Sequence, residues 1–325
     1  MKKLVFLCLC ALASLTSNAQ MNGGAFGFGG QQKEIELDCS AKFLDVNYAG
    51  DKEVYHNCDI YLPSKKARKY PVVVHIYGSA WFSNNSKGAA DLGTIVNALL
   101  KAGYAVVCPN HRSSQDAKWP AQINDIRACI RFIRGNAGKY NFDTKFIATS
   151  GFSSGGHLSA VAATSSGTNK WRAVDTIYDI EGTVCKKYRQ QSSTVDAAVV
   201  WSGPIDLLHM DCAGPRAMQF SPEEAVMGMK FEGNEEHFAG LSATYYANPN
   251  DPPICIFHGT EDTVVPYCQG EIFDQVLDAQ GIDHEFHPVE GGGHGFNGMY
   301  DQANLDAMVQ FLDKIRTSGR RKTRY

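Results

Sequence analysis

The chain has 325 residues, 44% of them hydrophobic and 20% charged, enough for one large domain with a buried core. Its formal net charge of −3 leaves no basic excess of the kind a nucleic-acid-binding surface needs, so no nucleic-acid partner is expected. Residues 1–19 read as a signal peptide: Lys2 and Lys3 are basic, 4–15 are apolar but too short to span a bilayer, and Ser17 and Ala19 supply the small residues of a cleavage site. Cleavage after Ala19 makes the expected location secreted or periplasmic, with no membrane span once the signal is removed. Residues 20–40 form a Gly-rich leader without periodicity, 41–318 a single α/β domain, and 319–325 a basic tail.

Within 41–318, strand and helix patterns alternate. Residues 41–48 and 54–62 predict a hairpin around Ala49, Gly50 and Asp51. Residues 71–77 (PVVVHIY) are a β-branched run suited to a strand covered on both faces. A helix over 89–101 stops at Gly103, and 104–109 (YAVVCP) is the next strand. Helical spacing of Ile123, Ile126, Ile130 and Ile133 marks 120–135. Strand 145–150 (KFIATS) leads into a helix over 154–163. Strands at 196–201, 253–258 and 284–289, with helices at 265–279 and 297–315, complete the series. This alternation predicts a mostly parallel sheet with helices on both faces. Two longer stretches, 166–194 and 206–247, read as lid-like insertions over the carboxyl end of the sheet, where ligands bind in such folds.

The chemistry concentrates at three turns. KFIATS runs into Gly151-Phe152-Ser153-Ser154-Gly155, a Gly-x-Ser-x-Gly turn between strand and helix. Such a turn is too tight for side chains at 151 and 155, and it lifts the Ser153 hydroxyl above the sheet as a nucleophile. A serine needs a base, and the base an orienter, in the chain order Ser, acid, His. Asp262 lies in HGTED just past the strand at 253–258, and His294 lies in the glycine-rich GGGHGF loop after the last strand. Glu261 and Asp206 are rival acids. His258 reads as a packed strand-end histidine, and His157 and His287 lack a matching loop and read as structural or surface residues. The turn after the strand at 71–77 reads Tyr77-Gly78-Ser79-Ala80-Trp81, and backbone N–H groups of Ser79, Ala80 and Ser154 are the expected oxyanion donors. Trp81, Met218, Phe220 and Met227 are candidate substrate-binding residues, with packing as the competing use.

Eight cysteines follow the signal. Cys108, Cys129 and Cys255 lie in apolar runs and read as buried thiols, while Cys185, Cys212 and Cys268 fall in loops and are the better disulfide candidates; pairing among these and Cys39 and Cys58 stays open. No cysteine or histidine spacing suits a structural zinc, and no cofactor or metal is expected.

Several motifs together carry a family resemblance: DIYLP at 59–63, HIYGSAW, NHR at 110–112, WPAQINDIRACIRFIRGNAGKYNFD at 119–143, GFSSGGHLSA, VVWSGPIDL, HGTEDTVVPYCQ and GGGHGF. The chain resembles secreted bacterial carbohydrate esterases of the bifunctional acetyl/feruloyl esterase type, within the α/β-hydrolase fold. The resemblance spans about 41–315. Tyr77 and Ser79 depart from the His-Gly-Gly element of carboxylesterases. It implies Ser153 as nucleophile, His294 as general acid and base, Asp262 as orienter, and ester-decorated plant polysaccharide or oligosaccharide as substrate. It places Asp125 and Arg127 on the helix beneath the elbow, where buried ion pairing is expected. Two other readings stand beside it: a prolyl-oligopeptidase-like exopeptidase, which normally carries a propeller too large for this length, and a catalytically dead hydrolase fold used for binding, which the intact triad opposes.

Overall fold

A computed structural model describes residues 35–165, 188, 190–214 and 220–318. The signal peptide, most of the leader, most of the first insertion with Cys185, Met218, and the basic tail lie outside the described residues. Eight strands form one sheet: β1 (Cys39–Asn47), β2 (Asn57–Pro63), β3 (Tyr70–Ile76), β4 (Ala105–Pro109), β5 (Phe142–Phe152), β6 (Ala197–Trp201), β7 (Ile254–Gly259) and β8 (His284–Val289). Their order across the sheet is β1-β2-β4-β3-β5-β6-β7-β8. β1 pairs antiparallel with β2, and β2 with β4; every other pairing is parallel. The hairpin is therefore the antiparallel edge of an otherwise parallel sheet, and β1 starts at Cys39, inside the stretch read as leader.

The helices are α1 (Asn97–Ala102), α2 (Ala121–Gly135), α3 (Ala137–Tyr140), α4 (Ser154–Thr164), α5 (Pro222–Met227), α6 (Glu235–Ala239), α7 (Cys268–Gln280) and α8 (Gln302–Thr317). Strand alternation divides the core in two. Val72, Val74, Ile76, Ala198 and Val200 face α2, α4 and α7, and pack with Ile123, Ile126, Leu158, Val161, Phe273 and Leu277. Val73, Val106, Ala197, Val199 and Trp201 face α1 and α8, and pack with Leu99, Leu100, Met308, Phe311 and Leu312. Successive side chains of a strand point to opposite faces, so a run with no polar interruption is what burial on both sides requires.

The helix expected over 89–101 is less regular. Leu92–Val96 is a π-helical turn entered from Asp91, whose φ is +48°, and only Asn97–Ala102 is α-helical. Asp91 bonds to His75 at 3.2 Å, and His75 to Ser150 at 3.1 Å. That polar link holds the start of this segment against β3 and β5.

The expected ion pair on α2 is drawn differently. Asp125, fully buried, takes Arg112 of the NHR motif as its cation at 2.7 Å, and its second oxygen accepts the Arg112 backbone N–H at 2.8 Å. Burial pushes the Asp125 carboxyl up, but His56 and Arg112 outweigh it and hold it below the usual range. Arg127, two residues on, points elsewhere on the helix and donates to Ser165 Oγ at 2.6 Å.

Candidate active site

All three catalytic turns open at the carboxyl ends of parallel strands. β5 ends at Phe152, Ser153 turns the chain with φ +56° and ψ −123°, and α4 starts at Ser154. This backbone is uncommon for a residue with a Cβ and is held by its surroundings. A Cβ at Gly151 would strike the Gly155 carbonyl, and one at Gly155 would strike the Ile76 carbonyl. Both glycines of the motif are thus required by close backbone approach. Ser153 N–H donates to Trp201 O at 2.8 Å, which ties the elbow to β6.

His294 reaches Ser153 from the loop after β8. Its Nε2 lies 2.9 Å from Ser153 Oγ and its Nδ1 lies 2.8 Å from Asp262 Oδ2. Asp262 sits in the turn after β7, with its side chain fully buried, while that of His294 is 12% exposed. The other carboxylate oxygen accepts the N–H groups of Val264 and Val265, each at 2.9 Å. Burial raises the Asp262 carboxyl, yet these bonds together with His294 prevail and hold it below its ordinary value. An ionised carboxylate only accepts, so His294 Nδ1 carries the proton and Nε2 is left to accept from Ser153. The tautomer follows from the bonding. Phe152 packs on the imidazole at a centroid distance of 4.7 Å and supports its orientation.

The rival acids are placed elsewhere. Glu261 is exposed, and Asp206 bonds His209 Nδ1 at 2.8 Å. His258 is buried, and its Nε2 donates to Val265 O at 2.9 Å. His157 is fully buried on the first turn of α4, bonded through Nε2 to Leu241 O at 2.6 Å, and burial pushes its pKa down to about 4.

The Tyr77–Trp81 turn lies directly on the nucleophile: a Cβ at Gly78 would come within 2.8 Å of Ser153 Cβ and of Phe152 O. Tyr77 is buried, stacked on His111 at 4.9 Å, and its hydroxyl donates to Ser83 O at 3.0 Å. Of the three expected oxyanion donors, one is engaged: Ser79 N–H donates to Ser154 Oγ at 2.9 Å. Ala80 N–H and Ser154 N–H have no protein acceptor among the described residues. The hydroxyl beside the nucleophile thus satisfies Ser79 N–H and leaves the other two amides without a protein acceptor.

Trp81 does not offer a face to substrate. It is 1% exposed and packs edge-on against His157 at 5.1 Å, since the left-handed turn at Ala80 and Trp81 drives the ring inward. Met227 is half-buried against the core beneath the second insertion. Phe220 is 61% exposed and sits against Phe82, the residue after Trp81, at 5.8 Å. Phe296, two residues beyond His294, is also exposed and was not singled out by the sequence. The second insertion docks on Trp119, whose backbone N–H donates to Val226 O at 2.9 Å and whose Nε1 donates to Gly240 O at 3.0 Å. Its root is fixed by Gln269 of α7, whose Oε1 accepts the Ile205 and Asp206 N–H groups at 2.8 Å, and by the Cys212–Cys268 disulfide beside it, with Cα atoms 6.2 Å apart. Cys39, Cys58, Cys108, Cys129 and Cys255 are free thiols, the last four of them buried.

Among the described residues, one group with converging potential metal ligands is Cys255, Glu285 and His287 on β7 and β8. Glu285 is already paired with Lys314 at 2.8 Å, and the group takes no part in the triad. No described helix is long and apolar enough to cross a membrane.

An elbow serine, a histidine of fixed tautomer and a buried carboxylate on this sheet define a serine hydrolase of the α/β-hydrolase fold. The BD-FAE family profile matches residues 58–277, and the chain belongs to that family. Among solved structures it is similar to a truncated form of a carbohydrate esterase from gut microbiota, with 41% identity and a TM-score of 0.80 over 87% of this chain and 98% of that one. It is also similar to a bifunctional GH43-CE protein of Bacteroides eggerthii, with 44% identity and a TM-score of 0.76 over 87% of this chain and 36% of that one. Esterase LipQ of Mycobacterium tuberculosis (strain ATCC 25618 / H37Rv) is 27% identical over 78% of this chain. The chain spans 58% of that curated relative's length. These relatives are esterases by name, and the constellation on this chain is that of a serine ester hydrolase.

Proposed function

We propose that the protein is an exported esterase that removes acetyl or hydroxycinnamoyl groups from plant polysaccharide, xylan above all, or from its oligosaccharides. The observation that carries the reading is the continuous hydrogen-bonded line from Asp262 through His294 to Ser153. As Ser153 Oγ attacks the ester carbonyl, its proton passes to His294 Nε2. The Ala80 and Ser154 amides hold the oxygen that becomes negative, and Asp262 stabilises the imidazolium. His294 then returns the proton to the leaving sugar oxygen, which leaves an acyl group on Ser153. Water, deprotonated by the same nitrogen, releases the acid and restores the serine.

The saccharide side of the substrate is supported by the two relatives above 40% identity, whose names carry a carbohydrate esterase and a GH43-CE combination. Exposed Phe220 and Phe296 flank the oxyanion loop and the histidine and suit a ring-bearing substrate, whether sugar or hydroxycinnamoyl. Export is supported by the signal-like start of the sequence and by the disulfide between Cys212 and Cys268, a bond that persists in oxidising compartments.

The test is a panel of acetylated xylan, methyl ferulate, a short-chain aryl acetate and an aminoacyl-arylamide. Release of acetate or ferulate from the first two at rates well above the arylamide is expected. Turnover of the arylamide alone would reassign the protein as a peptidase.

A further inference from the structure

The loop that supplies half of the oxyanion hole is built in an unfavourable conformation. Ala80 and Trp81 both lie in the left-handed region, with φ of +50° and +60°. For residues that carry a Cβ this costs about 1–2 kcal/mol apiece. Contacts beyond the loop's own backbone must hold it there.

Two bonds within the turn and one from the segment after β4 contribute. Phe82 N–H donates to Ser79 O at 2.9 Å, Ser83 N–H to Ser79 Oγ at 3.3 Å, and Ser114 N–H to Trp81 O at 2.7 Å. One bond crosses to the nucleophile's own helix: Ser79 N–H donates to Ser154 Oγ at 2.9 Å. Ser154 is 1% exposed and Ser79 half-buried, so this amide–hydroxyl bond is partly shielded from water. A fully buried amide left without a partner costs about 1–3 kcal/mol and a part-buried one less, which still favours the loop position that Ser154 holds.

We propose that the Ser154 side chain is the positioning residue of the oxyanion hole. By accepting Ser79 N–H it fixes the Ala80 amide relative to α4, while its own backbone N–H is the other donor. A single residue thus sets the separation of the two donors. The inference rests on Ser153 being the nucleophile but not on the identity of the ester. The contribution grows as the carbonyl oxygen gains charge, so it falls on turnover and on tetrahedral mimics rather than on ground-state binding.

The test compares Ser154→Ala and Ser154→Thr with the unmodified full chain, using a short-chain aryl acetate as substrate and an aryl boronic acid as the tetrahedral mimic. In Ser154→Ala, kcat should fall about ten- to a hundredfold, below the loss of a whole oxyanion donor, with KM within about twofold. The boronic acid should bind more weakly by a similar factor, and Thr, which keeps the hydroxyl, should restore most of the loss. If Ser154→Ala fails to fold, Ser154→Cys, with its weak acceptor, takes its place and should shift kcat in the same direction. A kcat and boronic acid affinity within about threefold of the parent, or higher because Ser79 N–H has been freed as a third donor, would overturn the proposal. Ser153→Ala is run alongside. If it stays active, the nucleophile assignment has failed. If it is dead while Ser154→Ala is unimpaired, only the positioning role has failed.

Discussion

Replacing Asp262 with Asn tests the triad through a single proton. The carboxylate spends one oxygen on the amides of Val264 and Val265 and the other on His294 Nδ1. An Asn side chain can satisfy the two backbone donors only with its carbonyl oxygen. Its NH2 group then faces His294 and donates to Nδ1. The imidazole proton is forced onto Nε2, 2.9 Å from Ser153 Oγ, where an acceptor is needed. The volume and the backbone bonds survive, but the base has the wrong tautomer. An Asp-to-Asn change of this kind in a serine protease triad costs about 10⁴-fold in kcat, equivalent to about 5 kcal/mol of barrier. A loss of about 10³- to 10⁴-fold is expected here, with KM nearly unchanged. The assay is initial-rate hydrolysis of an aryl acetate, with thermal unfolding to confirm the fold. Glu261→Gln, at an exposed carboxylate one residue away, should stay within about twofold. An Asp262→Asn enzyme within about tenfold of the parent, or a larger loss in the Glu261→Gln variant, would refute the assignment of the acid.

Two further outcomes follow from the buried His157 and from the disulfide. His157 is held near 4 in the fold, whereas an unfolded histidine titrates at about 6.5, so the unfolded chain takes up the proton first. The stability from this site is full above pH of about 6.5 and is lost as pH falls toward 4, by at most about 3 kcal/mol. Urea unfolding at pH 7.5 and 5.0 should therefore show a steeper acid loss in the parent than in His157→Gln, and parallel losses would contradict this origin. Reducing the Cys212–Cys268 disulfide, which spans 56 residues, should lower stability by about 2–4 kcal/mol. Urea midpoints measured with and without reductant, with thiol counting to confirm reduction, provide the check; unchanged midpoints would show that the bond adds little.

Much of this site was legible in the sequence because its chemistry is local. An elbow with glycines at 151 and 155 has few backbone solutions, and the acid and base each follow a strand in a fixed order, so Ser153, Asp262 and His294 could be placed without tertiary information. The parallel sheet was legible for the same reason: β-branched strands such as PVVVHIY, apolar but for the paired His75, need cover on both faces. What was not legible depends on where a side chain turns in three dimensions. Trp81 sits beside the oxyanion loop in sequence, but two left-handed residues rotate its ring into the core. Asp125 and Arg127 look paired, yet positions two apart on a helix diverge, and the partner is Arg112 from the preceding loop. Ser154 could be read as a backbone donor; that its hydroxyl would meet the Ser79 amide depends on β3 and β5 lying side by side, with Ile76 opposite Gly151. The disulfide was narrowed to loop cysteines, and the choice of Cys212 with Cys268 came from the docking of the insertion on α7. Nothing local in the sequence marks the π-helical turn at Leu92–Val96.

The central claim is that Ser153 forms the covalent intermediate. Its most direct measurement is peptide mass spectrometry of the protein after reaction with an aryl alkylphosphonate ester, which phosphonylates an activated serine and is not readily hydrolysed. One adduct per chain, on the peptide bearing Ser153 and absent from Ser153→Ala, is predicted, with activity lost in proportion to labelling. An adduct fixed to Ser154 or another residue in step with inactivation, or inactivation of the Ser153→Ala protein's remaining turnover by the same reagent, would contradict it.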